Sequence, residues 1–233
     1  MDRPQLFVDT PARLAECADD VGRSARVALD TESNGFHAYF EKVCLLQIAT
    51  AGADWAVDTL ALRPDPLLPL LADPARECIL HAAEYDVLCM KREYGLSFGR
   101  IFDTHAAAKT LGIEKVGLHD LLADQLGVRI EVDEQRSDWG RRPLSAEQLE
   151  YAFADVRHLL PMREKLGEQL AGRGLFALPV VPELVVGPMR HANRVDDRIA
   201  KALPRGELDV DLATGRDGDE HRLVEREVLP DVR

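Results

Sequence analysis

The sequence predicts a mixed α/β fold, a five-stranded sheet with helices packed on it. Three observations carry that expectation. Three strand-like apolar runs, at 27–32, 43–50 and 55–58, follow one another through short loops, as in an antiparallel meander. From residue 78 onward short apolar runs alternate with helical patterns, which adds parallel strands to the meander. A long helix with a strong start signal then closes the pattern, and no internal repeat is visible.

Taken in order, Thr10-Pro11 reads as an N-cap followed by proline at the first helical position. The helix it opens runs to about Gly22, with Leu14, Cys17, Ala18 and Val21 on one face. The strand at 27–32 follows, and Ser33-Asn34-Gly35 supplies turn chemistry. Prolines 64, 66 and 69 punctuate a short helix ending near Asp73. A strand at 78–81 leads to a helix at 84–94 closed by Gly95, and a strand at 100–103 leads to the Ala-rich helix 105–111. Leu118, Leu121, Leu122 and Leu126 mark another helix, and 127–142 lacks periodicity and reads as an ordered loop. Ser145 and Gln148 form a capping box, with Leu144 and Leu149 placed for a hydrophobic staple. The helix they start buries Leu149, Ala152, Phe153, Val156 and Leu160, kinks at Pro161 and resumes to about Ala171. Residues 1–172 are read as one folded domain, and 173–233, first Pro-rich and then polar, as a poorly packed or disordered extension.

Composition bounds the function. No apolar run approaches the ~20 residues of a membrane span, and Met1-Asp2-Arg3-Pro4-Gln5 lacks the basic start and apolar stretch of a signal peptide. The four scattered cysteines suggest neither zinc nor disulfides, so a reducing cytoplasmic setting is expected. A net charge of −12 argues against gripping long duplex nucleic acid through many phosphates. It leaves room for an enzyme that holds a single-stranded end with the help of metal ions.

Val27-Ala28-Leu29-Asp30-Thr31-Glu32 places two carboxylates two residues apart on a strand, on one face and roughly 7 Å apart. Two anions at the end of a buried strand repel each other, which a divalent cation taking oxygen ligands would relieve. Taken alone, the pair also fits an ordinary strand end in a solvated turn. Asp86 lies in the first turn of its helix, where the dipole favours an acid. Tyr151 and Asp155 stand four apart and share a helix face at the border of core and solvent.

Together these residues resemble the motif set of the DEDDy 3′–5′ exonucleases, and more narrowly of ribonuclease D-like members. The supporting stretches are Ala28-Leu29-Asp30-Thr31-Glu32-Ser33, Lys42-Val43-Cys44-Leu45-Leu46-Gln47-Ile48, His81-Ala82-Ala83-Glu84-Tyr85-Asp86-Val87, Phe102-Asp103-Thr104, Ser137-Asp138-Trp139 with Arg142-Pro143-Leu144, and the run from Tyr151 to Leu160. They cover roughly residues 5 to 170 in the family's order. The resemblance implies a ribonuclease H-like fold with Asp30, Glu32, Asp86 and Asp155 around two divalent ions, Mg²⁺ or Mn²⁺. It implies that Asp30 bridges both ions, that Glu32 and Asp155 hold the one carrying the attacking water, that Asp86 supports the other, and that Tyr151 orients that water. A tyrosine four residues before the final Asp, where the sister group has a histidine five before, distinguishes this branch; here that fifth position is Glu150.

The activity so implied is stepwise hydrolysis from the 3′ end of single-stranded nucleic acid, RNA before DNA, releasing 5′-nucleotides. Phe36 and His37 are candidates to stack on terminal bases, and Arg141 and Arg142 to contact phosphate. Loop packing for the aromatics and a solvated charge pair for the arginines are the ordinary readings. Trp139 is expected to anchor its loop, and His81 to be a satisfied core histidine. The chain departs from full-length ribonuclease D in lacking room for the usual pair of C-terminal helical modules. A DNA exonuclease is the alternative within enzymes, and a catalytically silent nucleic-acid-binding module on the same fold is the alternative outside them.

Overall fold

The computed structural model describes residues 3–175. The chain runs β1 (Gln5–Val8), α1 (Pro11–Arg23), β2 (Arg26–Ser33), β3 (Val43–Ala49), β4 (Asp54–Asp58), α2 (Leu68–Leu71), β5 (Glu77–Leu80), α3 (Glu84–Tyr94), β6 (Ile101–Asp103), α4 (Thr104–Thr110), α5 (Leu118–Leu126), α6 (Ala146–Arg157) and α7 (Leu159–Gly172). One sheet is formed, in the order β1-β4-β3-β2-β5-β6. The β2–β3–β4 meander is antiparallel, and β5 adds parallel to β2 and β6 parallel to β5. The sheet has six strands where the sequence suggested five: β1 lies parallel to β4 at the edge. Its four residues, of which Val8 alone is buried, are too few to show alternation.

Alternation along β2 builds the two layers. Val27 and Leu29 join one core with Leu14, Cys17 and Val21 of α1 and Val87 and Met90 of α3. Ala28 faces the other way, into a core with Ile79, Leu121, Val156, Met162 and Leu166. Asp30 and Glu32 continue that second face, where α6 covers the sheet and Leu45 and Ala56 meet Trp139, Ala152 and Phe153. The β2–β3 register shifts between Glu32 and Ser33, so regular pairing ends just past the two acids.

The long final helix is interrupted one turn earlier than its proline. Pro161 has no N–H for the Arg157 carbonyl. That carbonyl accepts Arg3 Nη2 at 2.5 Å instead, and His158 sits between α6 and α7. α6 itself begins as its sequence dictates: Ser145 Oγ accepts from Gln148 N, and Gln148 Oε1 accepts from Ser145 N. Gln148 Nε2 also donates to Ser137 Oγ at 2.8 Å, tying the helix start to the preceding loop. The extension expected over 173–233 lies, from residue 176 on, outside the described residues.

Removing the cap oxygen leaves a first-turn N–H unsatisfied. Ser145→Ala is expected to cost about 1 kcal/mol, read as a lower urea midpoint with an unchanged slope.

Candidate active site

The acids come from three elements and two layers. Asp30 and Glu32 stand on β2, and α6 brings Asp155 over them from its own face of the sheet; ligand atoms of the three lie within 4.8 Å of one another. Asp86 reaches the same end of the sheet from the other layer. Its Oδ1 accepts Thr31 Oγ1 at 2.5 Å, because Thr31 points to the face opposite Asp30 and Glu32. Asp86 lies outside the tight triad, yet its charge is the largest single electrostatic influence on Asp30. Tyr151 stands one helical turn before Asp155 on the same face of α6, and its hydroxyl and that carboxylate influence each other's titration. These residues line a cleft of about 820 Å³ together with Thr31, Phe36, Tyr85 and His119.

Packing four carboxylates here has an electrostatic signature. Burial first, and then the neighbouring acids, hold Asp30 well above the carboxylate range. Glu32 is raised to about 9 by burial, Asp155 and Asp86. Asp155 is raised to about 7, chiefly by burial against the opposing hydrogen bond from Tyr151. Asp86 is raised to about 6 by burial, with Thr31 working against the shift. Burial and the three acids push the Tyr151 phenol upward too, so it stays protonated at neutral pH. Among the described residues lining the cleft there is no lysine or arginine. Without cations the crowded carboxyl groups resist ionising all together, and an all-oxygen donor set of this kind fits hard divalent cations.

Local chemistry places each group. α3 starts through Ala82, held at φ 56, a left-handed backbone that costs an L-residue roughly 1–2 kcal/mol. Asp103 at the end of β6 stabilises that turn by accepting from the N–H groups of Ala82 and Ala83, both at 3.0 Å. The same carboxylate caps α4 through His105 N and Ala106 N. The loop before α6 is anchored by Trp139, 1% exposed, whose ring lies 6.2 Å from that of Tyr151.

The substrate-side candidates separate. Phe36 lines the cleft and is 74% exposed. His37 is exposed beside it and pairs its Nε2 with the Arg136 carbonyl at 3.1 Å. Arg141 is exposed and outside the lining. Arg142 does not face the cleft. Its Nε and Nη2 reach the Asp58 carboxylate at 2.6 and 2.7 Å, and its remaining donors take the carbonyls of Cys44, Trp139 and Arg141. All five guanidinium donors are engaged, so the phosphate contact suggested by sequence gives way to a clamp between the α6 loop and the sheet. His81 bonds Thr104 Oγ1 through Nδ1 at 2.9 Å, and burial lowers it to about 4. It is satisfied, as expected, although it borders the cleft.

Three residues escaped the sequence reading. His119 places Nε2 3.9 Å from Asp155 Oδ1 with its ring edge-on to Tyr151. Thr31 holds Asp86, and Asp103 sets the α3 turn. The alternation that put Asp30 and Glu32 on one face could have placed Thr31 on the other; nothing local marked His119.

The exonuclease family model, described as 3′–5′ exonuclease, matches residues 6–171. The chain belongs to this 3′–5′ exonuclease family. The exosome complex exonuclease RRP6 of Saccharomyces cerevisiae is 32% identical over 171 residues, 72% of this chain and 23% of that one. Ribonuclease D of Granulibacter bethesdensis is 35% identical over 167 residues, 70% of this chain and 42% of that one. The crystal structure of Escherichia coli RNase D, an exoribonuclease involved in structured RNA processing, superposes with a TM-score of 0.68 at 29% identity, covering 75% of this chain and 46% of that one. The chain thus spans between about a fifth and two fifths of the length of these curated relatives. The six-stranded mixed sheet is that of the ribonuclease H-like exonucleases, and the family is metal-dependent.

Two outcomes follow. Arg142→Ala strands the buried Asp58 carboxylate and is expected to destabilise the fold by about 3 kcal/mol, measured by urea unfolding. The second concerns pH. Carboxyls near 4 in the unfolded chain are ionised there by pH 7, while Glu32 keeps its proton until about 9 and Asp155 until about 7. The folded state therefore binds more protons, and stability falls as pH rises. Between pH 7 and 8, above the imidazole range and below unfolded thiols near ~8.5, the metal-free protein should lose stability, and Glu32→Gln should flatten the slope. Urea midpoints in chelator at both pH values check it; a midpoint that rises with pH contradicts it.

Proposed function

We propose that the chain is a metal-dependent 3′–5′ exoribonuclease that shortens single-stranded RNA from its 3′ end and releases 5′-nucleotides. The observation that carries the reading is the Asp30, Glu32 and Asp155 triad, within 4.8 Å, with Tyr151 in the same cleft one helical turn before Asp155. The ribonuclease and exoribonuclease in the names of two relatives favour RNA over DNA. Residues 1–172 are proposed as the catalytic domain, working in the cytoplasm.

Asp30, Glu32 and Asp155 would hold one divalent ion, and Asp86 with Asp30 a second, Mg²⁺ or Mn²⁺ by the oxygen donor set. Two such ions, when bound, supply an activated water and stabilise the charge of phosphodiester hydrolysis. Asp30 suits a shared position, since the charges of Asp86, Asp155 and Glu32 all bear on it. On binding cations the carboxyl groups would release their retained protons to solvent, which couples loading to pH. Tyr151, kept protonated, orients the attacking water through its hydroxyl and does not abstract a proton from it. Phe36 at the rim offers a face on which a terminal base can stack.

The test is full-length protein with Mg²⁺ or Mn²⁺ on matched 5′-labelled RNA and DNA single strands. Asp30→Asn is expected to lose roughly 10²–10³-fold or more in rate, the scale of removing one electrostatic stabiliser of a transition state. Tyr151→Phe should keep metal affinity and lose rate. Equal rates for wild type and Asp30→Asn, or no hydrolysis by either, would overturn the reading, and DNA cleaved in preference to RNA would move it to a DNA exonuclease.

A further inference from the structure

The two ends of β2 carry opposite charge. Asp30 and Glu32 lie toward its end, while Arg26 opens the strand beside a groove of about 710 Å³ that shares no lining residue with the cleft. The groove is lined by Arg3, Arg23, Arg26 and Arg100, with Glu77 and Glu164. Its floor has an unusual stoichiometry. The side chain of Glu77, 5% exposed, accepts Arg100 Nη2 at 2.8 Å and Arg163 Nε at 2.7 Å, and its Oε2 faces Arg26 Nε at 3.2 Å. Burial alone would raise this carboxyl, but Arg163, Arg100 and Arg26 hold it below the usual range, so it is ionised at neutral pH. Three guanidiniums on one carboxylate leave an excess of two positive charges. Next to them Asp54, fully buried, pairs with Arg3 Nη2 at 2.8 Å. Glu164, 3.9 Å from Arg26, removes one charge, and Arg23 with Asp20 at 3.7 Å cancels. These pairs leave one positive charge in excess at the groove of a chain whose net charge is −12.

We propose that this groove binds phosphate groups, carried either by a free phosphate or mononucleotide or by the backbone of a nucleic-acid strand. The buried carboxylates fix the guanidiniums before any ligand arrives, which lowers the cost of ordering long side chains. Arg26 and Arg100 are about half exposed, at 47% and 51%, and Glu77 occupies only part of each fork. The remaining N–H groups suit phosphate oxygens, which Arg binds through paired charge-assisted hydrogen bonds. A dianion there offsets the repulsion among guanidiniums that Glu77 alone does not neutralise. The site is separate from catalysis: Arg26 and Asp30 are four residues apart, roughly 13 Å along the strand, and Ala28 between them is covered by the core that includes α7.

Metal-free full-length protein provides the test, because a cleft of carboxylates without cations repels phosphate. Backbone amide NMR titrations would use inorganic phosphate, AMP and a 12-nucleotide RNA. The expected result is saturable shifts clustered at residues 23–26, 75–77 and 100. They should weaken at least about tenfold in Arg26→Gln/Arg100→Gln, which leaves Arg163 on Glu77, and also in Arg23→Glu, which leaves the Glu77 cluster intact. RNA binding tighter than AMP, with a salt slope lowered by about 0.7 per lost phosphate contact, assigns the groove to a strand; AMP binding as tightly as RNA assigns it to a free nucleotide. No saturable binding of any probe, shifts elsewhere, or equal affinity in a folded variant overturns the proposal. Because no metal is present, failure here leaves the exonuclease reading untouched, and loss of hydrolysis in the Mg²⁺ assay leaves this one untouched.

Discussion

Mutual repulsion among buried carboxylates is the constraint around which the catalytic end of the structure is arranged. Asp30, Glu32, Asp86 and Asp155 stand where burial and one another's charge each favour the protonated form. Left to itself such a cluster would open, so the backbone that presents it has to be held by interactions elsewhere. On the proposed function a divalent cation would relieve this repulsion, and its binding would be linked to the release of protons.

The holding interactions come from three directions. α6 is fixed at its start by a complete capping box, and its inner face is packed against β2, β3 and β4, so Tyr151 and Asp155 cannot drift without disturbing the core around Phe153 and Val156. α3 is fixed by Asp103, which accepts four backbone N–H groups across two helix starts and steadies the left-handed turn at Ala82. The loop before α6 is fixed by Trp139 and by the Arg142 clamp on Asp58. Each device uses side chains outside the acidic set, and each acts on the element that carries one of its members.

Much of this was legible in the sequence because it depends on local periodicity. The meander, α3, the capped α6 and the common face of Tyr151 and Asp155 follow from strand and helix spacing, and the family motifs tied them into one site. What stayed hidden depends on contacts across the chain. β1 is too short to show its period and exists because β4 offers an edge. The helix break at His158 needs Arg3, more than 150 residues away, to take the carbonyl that Pro161 frees. Arg142 looked like a phosphate ligand because a motif shows residue types and not the direction of a guanidinium; its partner Asp58 lies 84 residues earlier. His119 carries no local signal and meets Asp155 only once α5 and α6 are assembled.

Net charge is legible in the same limited way. A total of −12 argues against gripping long duplex nucleic acid through many phosphates, but a total says nothing about where charge sits. Here acids are gathered in a cleft with no lysine or arginine among its described lining residues, and arginines at the opposite end of the same strand. On the proposed function, attraction for a phosphodiester in the cleft would come from bound cations, so the metal would switch on affinity and chemistry together. The arginine end needs no metal, because its positive charge is built from side chains locked on Glu77 and Asp54. Two sites of opposite polarity on one sheet give the molecule a field gradient along β2, which would orient an approaching polyanion with its phosphates toward the arginines and away from an unloaded cleft. If both proposed sites hold, cations in the cleft would weaken that gradient and let a 3′ end approach, so the same ions that support hydrolysis would also help present the strand.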